Sequence, residues 1–199
     1  SNATACASGR PRRTPVVAAK AMRKSIFEQL CAIRTGDHAR VLHPNMVEGY
    51  TKDELAAMER LYDVEFSGEL RAFMLEMGRS DGGLLGDDPI SLYRARSVRR
   101  HVFFQAGMDD RFLAMKKFEL RFEGSLIVAV ESETQFYFLL TKSDQPDLVY
   151  RYDDDFPDAT DPGAMTSTGM TFMEYMHRAV RVHTKPGSGV VCRGEMIVI

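Results

Sequence analysis

Apolar positions recur at two different spacings along this chain, and the change from one to the other divides it. In "TKDELAAMERLYDVEFSGELRAFMLEMGRSDGG", residues 51–83, they fall three and four apart, the spacing that lines one face of an α-helix. Leu55, Met58 and Leu61 make one stripe, and Leu70, Phe73, Met74 and Met77 make a second. Thr51, with Glu54 three residues on, reads as a capping box, and Tyr50 before it as a staple onto Leu55. The short turn "YDVEFSG" separates the helices, and Ser67 is the expected cap of the second. Gly78, Gly82 and Gly83 stand where positive φ is needed after its end. An earlier helix is predicted over 20–34 from Met22, Ile26, Leu30 and Ile33, with Gly36 at its stop.

After Gly83 the period shortens. A short strand is expected over 90–93, "RARSVRRHVFFQAG" reads as a basic amphipathic helix or loop, and "DDRFLAMKKF" as a helical turn. Strands then follow in a row. "FELRF" alternates apolar and charged residues, as a half-exposed strand does. "LIVAVE" is apolar on both faces and reads as central. "QFYFLLTK" and "DLVYRYD" are rich in aromatic and β-branched residues, and "TKSDQPD" joins them as a hairpin. The loop "DDDFPDATDPGA" precedes a final helix over 170–182, with Phe172, Met176 and Val180 inward, and "GVVCRGEMIVI" reads as an extra strand. Helices, then consecutive strands, then a helix, without βαβ alternation, predict an α+β domain: a mainly antiparallel sheet of about four to six strands covered by helices on one side.

Composition refines this picture without changing its class. The chain has 199 residues, 44% of them hydrophobic, which lets one domain bury roughly 70% of its unfolded surface. Cys6, Cys31 and Cys192 are scattered, so neither a disulfide framework nor a zinc site is expected, and a reducing, cytoplasmic setting fits. The longest apolar run, "LIVAV", is too short to span a bilayer. The leading Ser-Asn-Ala reads as a scar of tag cleavage, residues 1–19 as a flexible basic segment, and residues 20–199 as a single domain.

Charge is unevenly spread. Residues 1–40 carry eight basic and two acidic residues, leaving 18 basic and 26 acidic after position 40, a net of −8. A body of that sign repels nucleic acid and attracts a basic protein. The arginine-rich head could touch nucleic acid, but no aromatic residue before Phe27 offers a base a stacking platform.

Candidate chemistry is sparse. "PGSGVV" lacks a phosphate-reaching lysine, "GRSDGGLLG" lacks the strand-then-helix context of a dinucleotide fingerprint, and no G-x-S-x-G or H-E-x-x-H occurs. His177 and His183 are spaced for opposite helix faces, so no metal site is expected. The sharpest feature is the acidic cluster Asp153, Asp154, Asp155 and Asp158, with the pair Asp87 and Asp88 treated alike. These carboxylates could form a solvated loop, meet a basic protein, or hold a cation in a metal-dependent hydrolase. They are the expected partner-binding residues. No catalytic residue and no cofactor is expected.

The helical pair also carries a family likeness. Glu54, Met58–Glu59, Phe73–Met74 and Gly82–Gly83 resemble the opening pattern of SUKH-superfamily domains, the Smi/Knr type. "LIVAVE", "QFYFLL", "LVYRYDDD" and "MTFMEYM" resemble its strands and closing helix, so the likeness covers about residues 48–182. One departure is Phe66-Ser67-Gly68, where the family often has Leu-Pro. The resemblance implies a non-enzymatic binding domain. Bacterial members are typically immunity proteins that neutralise toxins, many of them nucleases, and fungal relatives act in cell-wall regulation through protein contacts. It implies a toxin partner, and no membrane or cofactor.

Overall fold

The computed structural model describes residues 24–33, 42–85, 107, 124–131, 134–153, 155 and 164–182. Four helices form from the predicted stripes: α1 (Ile26–Ile33), α2 (Lys52–Tyr62), α3 (Gly68–Met77) and α4 (Phe172–Val182). Their apolar faces enter one core with Leu30, Leu55, Met58, Leu70, Phe73, Met74, Met77, Phe172, Met176 and Val180 all buried. Phe73 of α3 meets Phe172 of α4 edge to face, ring centroids 5.1 Å apart, the geometry aromatic quadrupoles favour.

Two antiparallel sheets accompany the helices. β1 (Val47–Glu48) pairs with β2 (Ser80–Asp81) in a small ribbon. β3 (Ser125–Glu131), β4 (Gln135–Leu140), β5 (Leu148–Asp153) and β6 (Met165–Thr171) form a four-stranded meander in that order. The α+β class is as expected. Leu126, Val128, Ala129, Tyr137, Leu139 and Val149 join the helix-side core. Val128 and Ala129 both do so because a bulge interrupts the β3–β4 register after Ile127, which breaks strict alternation.

The opposite face of the sheet is buried too. Ile127, Val130, Phe138, Leu140, Tyr150, Tyr152, Ala164 and Met165 form a second cluster, with the Phe138 and Tyr150 rings stacked at 5.8 Å. Among the described residues, the sheet's apolar side chains are therefore buried on both faces.

Several local expectations change. Gly82 and Gly83 do adopt positive φ, but Gly78 is right-handed, at φ −65°, and it is Asp63 that ends α2 in the left-handed region. Ser67 holds the N-cap position of α3 without a side-chain capping bond. The Asp147 carboxylate lies there instead: a Cβ on Gly68 would sit 2.6 Å from its Oδ2, and negative charge suits a helix N-terminus. The final helix begins at Phe172 rather than 170, capped by Thr171, whose Oγ1 accepts Glu174 N–H while Glu174 Oε2 accepts Thr171 N–H. The residues before it are β6; the sequence pattern leaves 165–169 unassigned and places 170–171 in the helix. β3 has one strand neighbour among the described residues, so it stands at an end of the described order rather than its centre. Apart from residue 107, which is helical, the elements expected over 90–122 and in the tail lie outside the described residues, as does the head read as flexible. None of the described helices is long and apolar enough to cross a membrane.

Candidate functional site

The strands of the meander carry polar groups at both ends, and the two ends differ. At one, Gln135 of β4 pairs with Asp153 of β5. Asp153 Oδ2 accepts Arg151 Nη2 at 2.6 Å and Gln135 Nε2 at 3.4 Å, and its Oδ1 accepts Asp155 N–H at 3.2 Å. Asp155 Oδ2 accepts Thr134 Oγ1–H at 2.9 Å. Of the six expected partner-binding residues, these two are described. The structure brings them together, but both carboxylates serve to close their own turn. Asp154, Asp158, Asp87 and Asp88 lie outside the described residues.

Beside that turn, Tyr137 and Tyr175 sit with ring centroids 5.1 Å apart, and Arg178 lies over both. Tyr175 donates to Glu131 Oε1 at 3.2 Å, and Arg178 Nη2 stands 3.9 Å from Glu131 Oε2. Burial, reinforced by the Glu131 charge, pushes the Tyr175 phenol well up, so it stays protonated and donating. Acid and base are matched here, and the cluster fastens α4 to the sheet.

The other end is the β4–β5 hairpin, residues 141–147, and three helix termini converge on it. Glu65 N–H donates to Thr141 Oγ1 at 3.0 Å, and Lys142 Nζ meets Asp63 Oδ1 at 2.6 Å, so the end of α2 is fixed against the hairpin. Phe172 N–H donates to Asp147 O at 2.7 Å, and Met173 N–H to Glu69 Oε2 at 3.3 Å, which sets the N-termini of α3 and α4 side by side. Asp63, Glu65, Glu69, Asp144 and Glu174 are exposed on this end, with Asp147 half-buried among them. Lys142 offsets one of these charges.

Like charges so close repel each other, yet the arrangement is supported by the backbone. The positive dipole ends of α3 and α4 face the same surface. Glu69 and Glu174 each accept a backbone N–H at the start of α4. The result is a rigid, net negative, solvent-facing surface. Sequence reasoning missed it because its carboxylates come from four separate segments and none forms a run. The helix starts at Thr171–Glu174 and Gly68–Glu69 were the signals that could have located it.

A further polar knot lies at the ribbon. Arg79 pairs with Glu54, and with Glu48 at 3.3 Å, while its guanidinium lies 4.9 Å from the centre of the Tyr50 ring. Burial pushes the Tyr50 phenol up to about 12 against the opposing pull of Arg79. Asp81, also buried, accepts Gly83 N–H at 2.8 Å and Leu85 N–H at 2.9 Å. Burial raises its carboxyl although both donors oppose that shift. Each charge here holds a neighbouring turn or helix in place. Among the described residues, no group of three or more His, Cys, Asp or Glu side chains is arranged to hold a metal ion. Comparisons of the chain with family models, with curated proteins and with solved structures find no match.

Proposed function

We propose that this chain is a non-enzymatic, protein-binding domain of the SUKH kind that acts as an immunity protein, neutralising a bacterial toxin by covering it. The observation that carries the reading is the acidic end. Two helix N-termini, one helix C-terminus and a hairpin are held together there by backbone N–H groups that donate to a carbonyl, a hydroxyl and a carboxylate, and they present five exposed carboxylates. A preorganised surface of one sign steers a partner of the opposite sign and loses little entropy on docking. A basic face, such as the substrate-binding face of a nuclease, is the matching chemistry. The complex would bury on the order of 1,600 Å² in total.

The α+β architecture and the sequence likeness over about residues 48–182 support the same reading, as does the net of −8 after position 40. The geometry at Asp153 speaks against the hydrolase alternative at that place, because Arg151 already neutralises the carboxylate a cation would need. The arginine-rich head that a nucleic-acid reading needs lies outside the described residues.

The test is co-expression with each large protein encoded by the genes that neighbour this chain's own, scored for growth arrest and its relief. Restored growth together with an isolable one-to-one complex is the expected outcome. Continued growth arrest, with no complex at micromolar concentration, rejects the proposal.

A further inference from the structure

α1 stands apart from the other helices in how it is held. Leu30 is its one fully buried residue, while Ile26, Phe27, Cys31 and Ile33 are half-buried and the rest exposed. It rests on α3 and α4. Its N-terminus is closed twice. Ser25 and Glu28 cap it locally: Ser25 N–H donates to Glu28 Oε2 at 2.9 Å, and Glu28 N–H to Ser25 Oγ at 3.1 Å. Glu76 of α3 then clamps it from outside. Its Oε2 accepts Ile26 N–H and its Oε1 accepts Phe27 N–H, both at 2.9 Å.

One carboxylate thus satisfies two of the four N–H groups that every helix start leaves open, and it does so from a different element. A local cap would hold the helix together; a clamp on α3 holds it in place. We propose that α1 is a latch, which opens as a unit from the seat between α3 and α4 while the sheet and the other helices remain folded, with Glu76 and Leu30 among its fastenings. A single fully buried side chain and a self-capped start are the conditions under which a segment opens below the global unfolding limit. The self-cap matters, because α1 keeps its own N-terminal bonds when the clamp lets go. Opening uncovers the apolar seat that Leu30 fills, without disturbing the acidic end.

Amide exchange followed by mass spectrometry on the full chain tests this. In the wild-type protein, amides of residues 28–33 should exchange at least about 100-fold faster than those of β4 and β5. Glu76→Ala, and separately Leu30→Ala, should speed α1 exchange about tenfold further and leave residues 135–153 unchanged. Alkylation of Cys31, mapped by peptide, should accelerate in step. Equal exchange of α1 and the β4–β5 pair in the wild-type protein would overturn the proposal. So would variants in which α1 and the sheet lose protection together.

Discussion

Glu54 holds three groups at once. Its Oε2 accepts Thr51 N–H at 2.8 Å and the Thr51 hydroxyl at 3.0 Å, and its Oε1 takes Arg79. Burial alone would raise its carboxyl, but these partners together hold it below its ordinary value of 4.5. The folded state therefore binds fewer protons than the unfolded chain as pH falls through 4.5. The stabilisation is complete above that value and is lost as pH drops through the lower folded one. Asp81, whose carboxyl is raised by burial, acts in the opposite direction, so the Glu54 share is isolated by comparison with Glu54→Gln. Denaturant midpoints should separate the two proteins at pH 7 and draw together as the pH is taken well below 4.5. A gap that does not change with pH would contradict this role.

At the scale of elements, the close approach of the ribbon to α3 is decisive. Gly49 follows β1, and a Cβ there would lie 1.8 Å from the Leu75 carbonyl oxygen. Tyr50 N–H donates to Met74 O at 2.9 Å just beyond it. Gly49→Ala must push the ribbon off the helix, and equilibrium unfolding should show a loss of about 3 kcal/mol. A loss below about 1 kcal/mol would mean that the ribbon is not fixed there.

The elements differ in how legible they were. The capping box at Thr51 and Glu54 and the stripes of α2, α3 and α4 are local patterns, and they form as read. β6 was missed because "MTSTGMT" has neither alternation nor β-branched apolar residues; Thr166, Ser167 and Gly169 stay exposed, and pairing with β5 alone makes it a strand. The ribbon is two residues a side, too short for any period to show. The sequence read the sheet as covered by helices on one side; its second face is buried as well, because which neighbour covers a face is a tertiary fact.

At the scale of the whole molecule, charge sorts by end. The turn around Asp153 and Asp155 is closed by Arg151, Gln135 and Thr134, and Arg178 faces Glu131 nearby. The hairpin end gathers Glu65, Glu69, Asp144 and Glu174 instead. The sequence announced an acidic body but placed its sharpest point at the aspartate run, because adjacency in sequence was the only proximity it could express. The fold places Glu69 and Glu174 at helix starts, where the dipole favours negative charge, and brings Glu65 and Asp144 beside them from the α2 end and the hairpin.

The most direct test is the association rate with the proposed partner captured by that co-expression, measured across ionic strength for three proteins. These are the wild type, a Glu65→Gln/Glu69→Gln/Asp144→Asn/Glu174→Gln variant, and Asp155→Asn. The account predicts that the fourfold variant associates about tenfold or more slowly at low salt, with a flattened salt dependence, and that Asp155→Asn stays within about twofold of wild type. An unchanged rate and salt slope in the fourfold variant would contradict the docking role of the acidic end.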